Sequence, residues 1–292
     1  MKFINLFISA LSLISATYAG NVKWTGFRYS TYGVQKSFGN APDANTLGTY
    51  IDGMKNHFDE STEKSLLLTV GKASSNKCSF DFSKPENVID ISNVEYIKGN
   101  EDINKFEDIL TMCDEKNVNV WLVVEPGDNK LVDLANIVLD KYGNHKSVKG
   151  FGVDLEWWHR EDYNRNQGKA LTDYEAKEVV TAIRKRNKKF TFLAKHWKAS
   201  HMPEFYTAGM VYVNTAQSFR DITKMSNEFS AWANAFQDNP VMFEIGYKDD
   251  KEIWQSDPIK IANTIANDAS KFNDQIGIVW TDYTMKEALE KM

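Results

Sequence analysis

The chain has 292 residues, 42% hydrophobic and 13% aromatic, which is ample for a sizeable core. Its formal net charge is −5 and no basic stripe runs along it, so a nucleic-acid partner is not expected. Beyond the N-terminus no segment approaches the roughly 20 apolar residues of a spanning helix, so no membrane partner is expected either.

Met1-Lys2, an apolar stretch from Phe3 to Ile14 and Thr17-Tyr18-Ala19 before Gly20 have the layout of a secretory signal peptide. Residues 1–19 are therefore expected to be removed, leaving 20–292 as an exported, extracellular, monomeric protein. No Asn-x-Ser/Thr acceptor occurs, so N-glycans are not expected to matter. An oxidising destination predicts one disulfide between the two cysteines, Cys78 and Cys113.

Along the chain, strand-like runs alternate with amphipathic helices. Strand Trp24–Ser30 is followed by helix Asn45–Phe58, and Ser65–Val70 by Asn104–Lys116. Then come Val118–Glu125 with Leu131–Lys141, Lys149–Trp157 with Asp173–Asn187, and Phe190–Trp197. Met210–Gln217 precedes Asp221–Phe236, Pro240–Tyr247 precedes Pro258–Phe272, and Gln275–Asp282 is the last strand. Eight strands in about 270 residues, without a Pro/Ser-rich linker, predict an α/β fold: a single-domain (β/α)8 TIM barrel over 20–292. No G-x-G-x-x-G or P-loop appears, which argues against a doubly wound nucleotide-binding sheet. Two long connections, Gly71–Asn100 and Trp158–Leu171, are expected over the C-terminal face.

In such a barrel the strand ends carry the site, and here they are polar. Arg28 and Tyr29 close the first strand and Glu125 the third. Asp154 and Glu156 close the fourth, Lys195, His196 and Trp197 the fifth, and Gln217 the sixth. Glu244 and Tyr247 end the seventh, and Trp280 and Asp282 the eighth. Asp154 and Glu156 stand two apart in an apolar run, so strand alternation predicts both on one face. Each residue also has a plainer reading: Lys195 neutralising the acids, His196 as a core histidine, Asp282 as a turn cap, the tryptophans as core. Indoles combined with carboxylates and a lysine suit a carbohydrate ligand, since sugars present apolar faces edged with hydroxyls. Crowded carboxylates suit glycoside hydrolysis, one protonated acid donating to the leaving oxygen and a second carboxylate stabilising, attacking or activating water.

The run Phe151-Gly152-Val153-Asp154-Leu155-Glu156-Trp157 resembles the strand-four signature of secreted glycosidase barrels. These include chitinase-like enzymes with D-x-D-x-E and muramidase-like enzymes with D-x-E. In the chitinase pattern Asp154 matches the middle Asp and Glu156 the last, which puts Trp158 where the acid belongs. The muramidase pattern makes Glu156 the proton donor and Asp154 its orienting partner. A third arrangement of retaining barrels pairs Glu156 with Glu244 on strand seven. The resemblance implies a cofactor-free hydrolase of an extracellular or cell-wall polysaccharide. Glu156, Asp154 and Glu244 would be catalytic, with Glu125 also a candidate second carboxylate. Glu125, Tyr29, Lys195, His196, Trp197, Gln217, Tyr247, Trp280 and Asp282 would bind the substrate. An inactive, lectin-like sugar-binding barrel is the alternative. A metal-dependent hydrolase built on Asp154, Glu156, Glu244, Asp282 and His196 is a weaker one, because no H-x-H or H-E-x-x-H run occurs.

Overall fold

The structure is a computed structural model that describes residues 22–86, 90–97, 106–163 and 167–292. The expected leader, 1–19, lies outside the described residues, as does Asn104, the expected start of the second barrel helix.

The chain begins with β1 (Val22–Tyr29), α1 (Thr31–Phe38), α2 (Ala44–Lys55), β2 (Glu63–Ser74), β3 (Lys77–Phe80) and β4 (Val94–Tyr96). It continues through α3 (Glu107–Lys116), β5 (Asn119–Val124), α4 (Leu131–Tyr142), β6 (Val148–Asp154), α5 (Asp173–Arg186), β7 (Thr191–Lys195) and β8 (Met210–Asn214). The last third holds α6 (Ile222–Ala235), β9 (Val241–Ile245), α7 (Lys251–Trp254), α8 (Pro258–Ala269), β10 (Ile276–Trp280) and α9 (Met285–Leu289). Strands β1, β2, β5, β6, β7, β8, β9 and β10 pair in parallel in that order, and β1 pairs with both β2 and β10, closing the barrel. The fold is a single-domain (β/α)8 barrel. No helix among the described residues is long and apolar enough to cross a membrane.

Helix starts follow their capping side chains. Asp43, Asp221 and Asp257 each accept from a first-turn amide, and Thr172 with Glu175 forms a capping box. Two glycines have steric reasons to be in strands. A Cβ on Gly26 would collide with the Ser65 carbonyl, and one on Gly150 with that of Thr191.

Alternation along the strands sorts side chains into two cores. Leu66 and Leu68, Val120 and Leu122, Phe151 and Val153, Phe192 and Ala194 join the layer under the helices. Trp24, Leu67, Trp121, Val123, Leu193, Val211, Val213, Met242 and Val279 fill the barrel interior.

Three expectations are corrected. The fourth barrel strand stops at Asp154, and Leu155–Trp157 form a 3-10 turn rather than its continuation. The connection expected as a loop after the second strand carries structure. β2 overshoots the barrel to Ser74, turns, and pairs antiparallel with β3, which pairs with β4. Cys78 and Cys113 are unbridged, buried thiols. Cys78 pairs with Ala73 at the far end of β2, whereas the Cys113 carbonyl holds Val118 near the start of β5, whose next residue lies level with Ser65. From Ser65 to Ala73 a strand rises on the order of 25 Å, several times a disulfide's Cα span.

Candidate active site

The strand alternation that buries Trp24, Trp121, Val123, Leu193, Met242 and Val279 inside the barrel also brings Arg28, Glu125, Asp154, Lys195 and Glu244 to its upper interior. Their charges alternate in a continuous chain. Asp282 Oδ1 lies 3.3 Å from Arg28, whose Nη1 donates to Glu244 Oε1 at 3.1 Å. Lys195 Nζ sits 2.8 Å from Glu244 Oε2 and 3.3 Å from Asp154 Oδ2. The Tyr247 hydroxyl donates to Glu244 Oε1 at 2.9 Å, and the Ser30 amide donates to Asp282 Oδ2 at 2.5 Å. Burial this complete is tolerated because each charge has a partner.

The same surroundings divide the carboxyls. Burial alone would raise Glu244, but the Lys195 and Arg28 charges and the hydrogen bonds from Lys195 and Tyr247 pull it down to about 2. Glu156, on the 3-10 turn and half-buried, moves the other way. Desolvation and the adjacent Asp154 charge raise it to about 7, against the smaller pulls of Lys195, Arg160 and a hydrogen bond with Trp197. Glu125 is raised chiefly by burial, although Oε2 accepts from the Ala73 amide at 2.9 Å.

Beside these groups lies a cavity of about 350 Å³, lined among others by Ser30, Tyr32, Glu125, Trp157 and Tyr283 and by the β2–β3 hairpin. Its size is at the small end for ligand sites.

Among the expected site residues, Asp154, Glu156, Lys195, Trp197, Glu244, Tyr247 and Asp282 share this contact network, and Glu125 joins it electrostatically. Tyr29 and Trp280 belong instead to the core under the helices. The Trp280 indole meets Trp254 edge-on and donates to Thr284 Oγ1 at 3.1 Å. Gln217 is exposed on the segment after β8. His196 is buried and stacks on His201 with ring centroids 4.0 Å apart. Its Nδ1 accepts from the Lys198 amide at 2.8 Å and Nε2 faces the Gln167 carbonyl at 2.9 Å, the pattern of a neutral ring. Burial holds its pKa down, to about 4. Trp158, at the chitinase acid position, is buried and donates to the Asn129 carbonyl at 2.9 Å.

Sequence reasoning gave too little weight to Arg28, which spacing could have found, since Trp24, Gly26 and Arg28 alternate along β1. Tyr32, in the first turn of α1, and Tyr283, in the 3-10 turn after β10, lie just beyond strand ends and carried no comparable signal.

Metal ligation by Asp154, Glu244, Asp282 and His196 meets an obstacle: Lys195 and Arg28 already stand between the acids, and both His196 nitrogens are engaged. Elsewhere, Asp128, His159 and Asp162 offer ligand atoms within 4.8 Å of one another. His159 Nδ1 lies 3.3 Å from Asp162 Oδ2, within hydrogen-bond reach, and 3.7 Å from Asp128 Oδ1.

No family model matches the chain, and no curated protein sequence matches it. Solved structures do. Endo-glycoceramidase II from Rhodococcus sp., in a five-membered iminocyclitol complex, is similar with a TM-score of 0.52 at 12% identity, over 91% of this chain and 75% of that one. The same enzyme as its lactosyl-enzyme intermediate gives 0.50 at 12%, with the same coverage. An uncultured Clostridium sp. beta-glucuronidase gives 0.45 at 13%, over 94% of this chain and 50% of that one. At these identities the likeness is one of fold, and the barrels that share it include glycoside hydrolases.

Proposed function

We propose that the chain is a glycoside hydrolase in which Glu156 is the general acid. One observation carries the reading: within one barrel mouth, Glu156 is raised to about 7 while Glu244 is lowered to about 2. Carboxyls whose environments drive them apart are how a site keeps one acid protonated and another ionised near neutral pH. The Glu156 proton passes to the glycosidic oxygen as its bond to the anomeric carbon breaks. Asp154, between Glu156 and Lys195, faces the positive charge that develops on the sugar ring. Water supplies the new hydroxyl at the anomeric carbon, and a carboxylate of the mouth takes up the proton it loses. Glu244 is wholly enclosed by Arg28, Lys195 and Tyr247, and its role is to fix Lys195 beneath Asp154.

Half-buried Trp157 and Trp197 beside the acids support a sugar substrate, and the leader-like residues 1–19 support an extracellular or cell-wall polysaccharide. The test is release of reducing ends from a panel of such polysaccharides by wild type and Glu156→Gln. The account expects at least a ~100-fold loss in the variant, and near-normal release would remove Glu156 from the role.

A second reading, a sugar-binding barrel without turnover, is favoured by the enclosure of Glu244, which Arg28, Lys195 and Tyr247 hold away from solvent. Wild type that retains a polysaccharide in pull-down yet releases nothing from the panel would establish it instead.

A further inference from the structure

We propose that the cavity beside the acids is a subsite for a neutral pyranose unit, with Glu125 accepting its hydroxyls and turning away uronic acids. This rests on the glycoside hydrolase reading and names the sugar class at one of its subsites.

Glu125 follows β5 on the cavity wall. Its Oε2 is held by the Ala73 amide at 2.9 Å, and Oε1 has no hydrogen-bond partner among the described residues. A fixed carboxylate with one oxygen left over suits a ligand that brings O–H donors, and charged acceptors make the stronger hydrogen bonds.

The walls suit the rest of a sugar ring. Trp157 is half-buried, and Tyr32 and Tyr283 meet edge-on with centroids 6.1 Å apart. Tyr283 lies over the Arg28 guanidinium at 4.8 Å, and Arg28 is fixed in turn by Glu244 and Asp282. The aromatic edge is therefore preorganised, and its rings offer apolar surface to the C–H faces of a pyranose.

Charge decides the class of sugar. Among the described lining residues the one cation is Lys72, which lies 3.9 Å from Asp81, another lining residue. Arg28, beneath, is already shared between two carboxylates. A uronate carboxylate entering here would meet Glu125 and Asp81, and among the described lining residues Lys72 alone could offset them; Arg160 and Lys36 stand over the rings of Trp157 and Tyr32 rather than on the lining itself, and like charges on the wall repel.

Free monosaccharides test this without any turnover. Glucose, galactose, mannose and xylose, with glucuronate and galacturonate, are titrated calorimetrically at pH 8. Wild type is expected to bind at least one neutral sugar and neither uronate. Glu125→Gln, with an unchanged melting temperature, is expected to bind that neutral sugar about tenfold more weakly and to bind uronates at least as well as wild type. Tyr283→Ala should weaken the neutral sugar too. Uronate binding by wild type as tight as that of neutral sugars, unchanged affinity in Glu125→Gln, or no sugar binding at all would overturn the proposal. The two readings fail separately. Glu125-dependent binding in a protein that hydrolyses nothing keeps the subsite and removes the enzyme; Glu156-dependent hydrolysis with Glu125→Gln unaffected does the reverse.

Discussion

The Arg28 guanidinium donates to Glu244 Oε1 at 3.1 Å, and so ties the first barrel strand to β9 across the interior. Both side chains are almost wholly buried, 11% and 0% exposed. Neither can turn to water if the other is lost. Arg28→Met should therefore cost about 3–5 kcal/mol, the range for breaking a buried pair from one side. Urea denaturation at pH 7 measures it, and a loss below about 1 kcal/mol would show that Lys195 and Tyr247 hold Glu244 unaided.

Acid should weaken the fold in two stages of the same sign. His196 titrates near 4 in the folded protein against 6.5 ordinarily, so its contribution is full above 6.5 and is lost as pH falls towards 4. Glu244 titrates near 2 against 4.5, so its contribution is lost below 4.5. In His196→Asn the fall in melting temperature between pH 6.5 and 4 should be shallower than in wild type. Parallel curves would mean that the ring's burial is not what makes the first stage.

Catalysis should carry the signature of Glu156. As pH rises through about 7 the acid loses its proton and kcat/KM should fall. Asp154 raises Glu156 by repelling its ionised form, so Asp154→Asn should move that alkaline limb to lower pH as well as reducing the rate. A limb that stays in place in the variant would assign it to another group.

How much of this was legible beforehand depends on periodicity. The eight barrel strands follow apolar runs bounded by polar ends, so the barrel and most interior residues could be read from spacing two. The same rule overreached at Leu155–Trp157, where the backbone winds into a 3-10 turn, a local choice that an apolar run does not announce. It was also underused. Counting from Trp24 puts Arg28 inside and Tyr29 outside; counting from Leu193 puts Lys195 inside and His196 outside. The β2–β3 hairpin stayed hidden because Lys72–Lys77 is polar and β3 is only four residues long, so its alternation, with Cys78 and Phe80 buried, is too short to stand out.

Both cysteines should be free. Burial raises the Cys113 thiol to about 12 and pushes Cys78 up as well. Ellman's reagent should find no reactive thiol in the native protein and both once it is denatured without reductant. Failure to find them after denaturation would restore the disulfide that the sequence suggests.

The central claim is that Glu156 gives its proton to the departing oxygen, and its most direct test varies the need for that proton. Glu156→Gln is compared with wild type on a cleaved oligosaccharide and on the 2,4-dinitrophenyl glycoside of the same sugar, whose leaving group departs without protonation. The account expects at least ~100-fold loss on the oligosaccharide and little loss in the bond-breaking step of the dinitrophenyl substrate. Equal losses on both, or none on the oligosaccharide, would contradict it.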